Sequence, residues 1–189
     1  MKLGLFGGSF DPIHRGHVEP VRAARRALGL DRVLYLPTAL PPHKPRRELA
    51  PAHARWAMVE LALLGEEGLY ADPYELTLGR PAYTVETLEH FRRTLPGAEL
   101  HLLIGADSYL ELPTWRRWRE LPELARIVVL ARPGSEVEET VAGARFLEQP
   151  PVDVSASRIR AHLAAGEAPP PGALHPLVLD YVRKYHLYR

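Results

Sequence analysis

His14 and His17 close the run Gly7-Gly8-Ser9-Phe10-Asp11-Pro12-Ile13-His14-Arg15-Gly16-His17. Three residues apart, they project to one side if they sit on the first turn of a helix. The glycines ahead of them predict a turn whose backbone N–H groups, with the positive end of the following helix, suit a phosphate. Two imidazoles beside that cradle fit a polyphosphate. A solvated pair or half of a metal site would use the same spacing, but a metal needs further ligands and Asp11 alone is at hand. The run lacks the Gly-Lys-Ser/Thr of a Walker loop, and Gly4, Gly7 and Gly8 do not make a Gly-x-Gly-x-x-Gly dinucleotide fingerprint.

The elements around this run set its place. Strand-length apolar runs at Leu3 to Phe6, Arg32 to Leu36, Leu100 to Ile104 and Ile127 to Ala131 alternate with helical patterns, which predicts βα units and a parallel sheet. Val18, Val21, Ala24 and Leu28 share one helical face; Trp56, Val59 and Leu63 share another. Tyr83, Thr87, Leu88 and Phe91 predict a third helix. Ser155 is placed to cap a helix through Leu163, and Pro176 to open a last one through Tyr185. The histidine run thus follows the first strand, at the carboxyl end where open parallel sheets bind ligands.

Composition excludes several classes. The 189 residues hold no Cys, so no disulfide or Cys-bound metal is possible, and the net charge of +1 predicts no nucleic-acid partner. Apolar runs such as Arg126 to Ala131 are too short for a bilayer, and Met1 leads into a strand-like segment rather than a signal peptide. The expectation is a cytoplasmic protein with no membrane partner; its oligomeric state is left open. The chain carries 21 Arg against 3 Lys, 19 Pro and no Asn. Heat resistance and GC-rich codon usage both account for that balance.

Further chemistry lies at other strand ends. Pro42-His43-Lys44 is a stiff loop with a point charge after the second strand, able to reach phosphates beside the first. A solvated basic loop fits it as well. Ile104-Gly105-Ala106-Asp107 ends a strand with a glycine that admits a ligand and a carboxylate that accepts from ribose hydroxyls or caps a helix. Ser155 and Ser157, with Arg158 and Arg160 beyond, group hydroxyls, N–H donors and guanidinium at a helix start.

Gly8 to His17 resembles the His-x-Gly-His signature of the nucleotidyltransferase superfamily over about ten continuous positions. Pro41-Pro42-His43-Lys44, Tyr83-Thr84-Val85-Glu86-Thr87-Leu88, Ile104-Gly105-Ala106-Asp107 and Val154-Ser155-Ala156-Ser157-Arg158-Ile159-Arg160 resemble nicotinate-nucleotide adenylyltransferases in particular. The last departs from the usual Ile-Ser-Ser-Thr-x-Ile-Arg, with Ala156 for the second Ser and Ser157 for the Thr. The resemblance implies an α/β, Rossmann-like doubly wound parallel sheet with a C-terminal helical appendage. It implies one nucleotidyltransferase domain over residues 1–189, helical from about residue 155.

The same resemblance implies ATP and nicotinate mononucleotide as partners, Mg²⁺ with the ATP, and release of nicotinate adenine dinucleotide and pyrophosphate. His14, His17, Lys44 and Arg160 are expected to be catalytic; Gly7, Gly8, Ser9, Phe10, Gly105, Asp107, Ser155 and Ser157 join the two histidines and Arg160 around ATP. Asp11, His43, Lys44, Thr84, Tyr109 and Trp115 are expected at the acceptor, Trp115 rather than Trp118 stacking on its ring. Transfer to nicotinamide mononucleotide or 4'-phosphopantetheine, or a non-catalytic nucleotide binder, are the alternatives.

Overall fold

The computed structural model describes residues 1–39, 49–131, 141–149 and 152–189. Its strands are β1 (Lys2–Gly8), β2 (Arg32–Pro37), β3 (Leu69–Ala71), β4 (Glu99–Gly105), β5 (Arg126–Ala131) and β6 (Arg145–Glu148). All neighbours pair in parallel, in the order β3-β2-β1-β4-β5-β6. The order reverses between β1 and β4, which is the doubly wound arrangement with its ligand crevice at that switch point.

The helices are α1 (Arg15–Leu28), α2 (Ala52–Leu63), α3 (Tyr74–Thr77), α4 (Thr84–Thr94), α5 (Ala106–Leu110), α6 (Leu121–Leu124), α7 (Ala156–Ala164) and α8 (Pro176–Lys184). Val21 of α1, Val59 of α2, Ile159 of α7 and Val178 of α8 pack with Val33 and Leu103 on one face of the sheet. Val85 and Leu88 of α4, Tyr109 of α5 and Leu121 of α6 pack with Leu5 and Leu102 on the other. Alternation along β4 sends Leu100, Leu102 and Ile104 to the α4 side and Leu103 to the α1 side. The C-terminal helices therefore belong to the same apolar cluster as α1. Among the described residues, no helix is long and apolar enough to cross a membrane.

Several expectations need correction. Gly7 and Gly8 are not in a turn: they end β1, opposite Leu36 and Pro37, and the chain turns at residues 11–12. The buried face of α2 runs through Arg55, Met58, Val59 and Ala62, with Trp56 half-buried beside it. β3 and β6, three and four residues long, close the sheet at its edges and are too short to show a period of two.

Gly4 faces the α1-side core, where the side chains of neighbouring strands leave no room for another. A Cβ there would lie 2.9 Å from Leu103 Cδ1 and 2.9 Å from Val33 Cγ2. Gly4→Ala is expected to lower stability by about 1 to 3 kcal/mol, the usual cost of overpacking, measured by urea denaturation. An unchanged midpoint would contradict this packing.

Candidate active site

A cavity of about 1170 Å³ opens at the carboxyl ends of β1 and β4. Gly7 and Gly105 end neighbouring strands there, and a Cβ on either would meet nothing within 4 Å. Both positions face open space that a side chain would otherwise enter. Single-ligand pockets run to roughly 1,000 Å³, so this one is large enough for a nucleotide-sized ligand.

The first wall is the turn between β1 and α1. Phe10 is 1% exposed with φ +46°, and its ring packs against Phe6, Tyr35 and the edge of His17. Gly8 is required beneath it, because a Cβ there would sit 2.9 Å from the Phe10 ring. His14 precedes the first turn of α1 and its ring stacks on His17 at 3.8 Å. The pair is locked by its own backbone: His17 N–H donates to the His14 carbonyl at 2.8 Å, and His14 N–H donates to His17 Nδ1 at 3.2 Å. An Nδ1 that accepts leaves the His17 ring proton on Nε2.

His14 lines the cavity as a neutral ring. Burial lowers its pKa to about 4, so the ring is neutral near pH 7, and its buried Nδ1 has no hydrogen-bond partner among the described residues. Gly16 makes room for it, since a Cβ there would lie 3.0 Å from the ring.

Asp11 is 2% exposed and works as a hub behind this wall. Its Oδ1 accepts from Tyr188 Oη at 2.7 Å and from the Ala50 N–H at 3.0 Å, while Arg160 Nη1 donates to its main-chain carbonyl at 2.7 Å. Burial and the Asp11 carboxylate together raise the Tyr188 phenol well above its ordinary range. Deeper still, Arg55 donates to the carbonyls of Ser9 at 2.7 Å, Ala50 at 3.1 Å and Ala39 at 3.2 Å.

The opposite walls are helix starts. Val154, Ser155, Ala156, Ser157 and Arg160 bring the start of α7 to the cavity, so that two helix N-termini, of α1 and α7, face it. Ser155 spends its hydroxyl on its own helix, accepting from Arg158 N–H at 3.3 Å, and Arg158 is held by Asp153 at 2.8 Å. Ser157 lies 3.5 Å from Arg160. On the other side Tyr83, Thr84, Thr87, Asp107, Trp115 and Arg116 line the wall.

Of the residues read from sequence, Gly7, Gly8, Ser9, Phe10, Asp11, His14, His17, Thr84, Gly105, Asp107, Trp115, Ser155, Ser157 and Arg160 come together around this one cavity. Tyr109, expected there for the backbone N–H groups near it, has its side chain fully buried in the α4-side core, its Oη accepting from Val141 N–H at 2.9 Å, while its neighbours Ser108 and Leu110 line the cavity. Trp118 lies off the wall against Arg119. His43 and Lys44 lie outside the described residues. Arg116 sits on the cavity wall over the Tyr83 ring at 4.7 Å, 3.6 Å from Glu86.

Sequence reasoning missed Arg55, Glu75, Thr38 and Tyr188. Glu75 lines the cavity at 8% exposure and accepts from Thr87 Oγ1 at 3.0 Å. Burial raises its pKa to about 7 against the pull of bonds from Thr87 and Thr38. Among the described residues no three His, Asp or Glu side chains cluster to cage a metal. Asp11 Oδ2, buried without a hydrogen-bond partner, is the orphaned oxygen on the wall.

Comparison with known proteins places this architecture. A family model described as cytidylyltransferase-like matches residues 5–162, the segment that holds the cavity. Probable nicotinate-nucleotide adenylyltransferases from Solibacter usitatus and Thermus thermophilus are 43% and 41% identical, each aligned over all of both chains. The chain belongs to the nicotinate-nucleotide adenylyltransferase family. The fold is shared with the solved structure of Plasmodium falciparum nicotinic acid mononucleotide adenylyltransferase complexed with NaAD. That structure is 18% identical, with TM-score 0.84, covering 99% of this chain and 97% of that one.

Two outcomes follow for stability. Tyr188→Phe withdraws a donor from a buried carboxylate and is expected to cost roughly 1.5 to 3 kcal/mol in urea denaturation. Glu75 binds its proton more tightly folded than unfolded, so its contribution is full below about pH 4.5 and lost as the pH rises through about 7. Glu75→Gln should therefore gain on the wild type by roughly 3 kcal/mol across that window, read from denaturation at each pH. A constant difference between the two proteins would contradict the burial of an ionisable carboxyl there.

Proposed function

We propose that the protein transfers the adenylyl group of ATP to nicotinate mononucleotide, giving nicotinate adenine dinucleotide and pyrophosphate in the biosynthesis of NAD. One observation carries the reading: the stacked His14 and His17 and the Arg160 guanidinium meet two helix N-termini at the β1/β4 switch point, with Trp115 across the same cavity. The names of the full-length relatives point the same way. A cytoplasmic location belongs to this reading.

The acceptor phosphate attacks the α-phosphorus of ATP, a new P–O bond forms, and the bond to the β-phosphate oxygen breaks. No protein nucleophile is needed, because the acceptor phosphate is already ionised near neutral pH. The chain's work is to hold two anions in line and stabilise the charge that moves onto the departing pyrophosphate.

His17 presents its Nε2 proton to a phosphate oxygen while its Nδ1 stays tied to the His14 backbone. His14 enters as a neutral donor, and a triphosphate beside it favours the protonated form. Arg160 adds a fixed charge, and Lys44 joins the set by resemblance. Phe10, Gly7, Gly8, Ser9, Ser155 and Ser157 shape the triphosphate end; Gly105 and Asp107 take the adenosine, with the Asp107 carboxylate accepting from ribose. Trp115 stacks on the pyridine ring, whose carboxylate lies near the Thr84 N–H at the start of α4. Tyr109 supports that wall from the core behind it. Asp11 and His43 complete the acceptor side.

Nucleotidyltransferases generally take ATP with Mg²⁺. The donor set fits, since Mg²⁺ rides on substrate phosphates and needs one or two carboxylates. Asp11, through its Oδ2, which has no hydrogen-bond partner among the described residues, would hold it, and bound there it would neutralise phosphate charge.

The test is pyrophosphate release from ATP with nicotinate mononucleotide, nicotinamide mononucleotide and 4'-phosphopantetheine in turn. The first acceptor is expected to be used best; a non-catalytic binder releases none with any. His17→Ala should lower turnover roughly 100- to 1,000-fold, the scale of one lost transition-state donor. Near-normal turnover would remove His17 from the mechanism.

A further inference from the structure

Glu75 is out of place in a cavity built for anions. It lies on α3 and is 8% exposed on the cavity wall, and the groups that meet its carboxyl are hydroxyls, Thr87 Oγ1 at 3.0 Å and Thr38. The cations of neighbouring elements are committed elsewhere: Arg80 bonds Glu86 at 2.7 Å, and Arg116 lies 3.6 Å from Glu86 over the Tyr83 ring. Of the cations on α4, Arg92 donates to the Glu123 carbonyl at 2.6 Å and the charge of Arg93 acts on Tyr74. Asp72 and Tyr74 are on its own segment, the Asp72 carboxylate accepting from Tyr74 N–H, and His90 of α4 stacks on the Tyr74 ring. Tyr83 and Glu86 belong to α4 and its cap. Asp107 and Glu111 stand on the wall beyond, with Asp11, His14, His17 and Arg160 on the β1 and α7 side.

The position of Glu75 is as telling as its surroundings. Thr87 is one turn into α4, so the bond from Thr87 to Glu75 ties the carboxyl to the N-terminus at Thr84. That terminus is where the ring carboxylate of the acceptor was placed above. An ionised Glu75 would occupy the same positive dipole end and repel the incoming carboxylate in a place of low dielectric. A protonated Glu75 leaves it to the ligand.

We propose that Glu75 is a specificity-determining residue that takes up a proton when the acceptor binds, so that the acceptor's ring carboxylate enters beside a neutral carboxylic acid. The proposal rests on nicotinate mononucleotide being the acceptor. Burial already brings the Glu75 pKa to about 7, so the proton is exchangeable under ordinary conditions, and a second anion nearby moves the equilibrium further toward the acid.

The test compares kcat/KM for nicotinate and nicotinamide mononucleotides from about pH 6 to about pH 9, in the full-length protein and in Glu75→Gln. The two acceptors carry the same ribose phosphate, so its titration cancels in their ratio. The acid-to-amide ratio is expected to fall up to about tenfold per pH unit above about 7 in the wild type and to be flat in Glu75→Gln. A flat wild-type ratio, or the same slope in both proteins, overturns the proposal.

Calorimetry of the wild type needs no variant: in buffers of different ionisation enthalpy near pH 8, binding of nicotinate mononucleotide should take up close to one proton. No uptake overturns the coupling. Failure of the wild type to adenylylate nicotinate mononucleotide at any pH is a separate result, since it removes the acceptor itself.

Discussion

One guanidinium holds the active-site floor in shape. Arg55 is 1% exposed and distributes its donors among the carbonyls of Ser9, Ala39 and Ala50. Those residues belong to the turn after β1 and to the chain on either side of the stretch that carries Lys44. Three separate pieces of backbone therefore meet at one rigid, planar fork, which a flexible ammonium could not replace. Burial lowers the Arg55 pKa and the nearby Asp11 opposes the shift, so the charge is kept by its neighbours rather than by water. Asp11 in turn fixes Tyr188 and receives Arg160 at its carbonyl, and His14 stands three residues on. The stacked histidines inherit their position from this network.

The cavity has few uncommitted charges among the described residues. His14 is neutral, Arg160 is shared with Asp11, and Arg116 leans on Glu86 and Tyr83. Backbone N–H groups at the starts of α1, α4 and α7 are fixed before any ligand arrives. Preorganised dipoles of this kind need no reordering, as mobile side chains do. His14 and Glu75 also lean in opposite directions with pH. Stability linked to His14 grows as the pH rises from about 4 toward its ordinary 6.5, while that linked to Glu75 is lost as the pH rises toward about 7.

Periodicity in the sequence was enough for the layers. Leu3, Leu5, Val33, Leu102 and Val129 are apolar at strand spacing and all are buried in the sheet. The four longer strands and the helices α1, α4, α7 and α8 follow from such runs and from caps such as Ser155. The site was legible wherever residue type and position in the chain agree, as at His14, His17 and Gly105. It was illegible where a residue's role comes from burial alone. Arg55 is one more Arg in a chain with 21, and Glu75 reads as an acid in a turn. Tyr188 stands far along the chain from Asp11, and nothing local marks it as that residue's partner. The short edge strands escaped because three or four residues, paired on one side, carry no pattern of their own.

The Tyr188–Asp11 bond joins residues 177 positions apart, and the Arg160–Asp11 bond joins residues 149 apart. During synthesis the strands and helices on the α1 side can begin to pack while the chain is still attached to the ribosome. The turn that carries Asp11 gains the Tyr188 bond only once that residue has emerged and folded back. A chain stopped short of that residue keeps the glycines and both histidines but lacks the phenol that donates to the buried Asp11 carboxylate behind them.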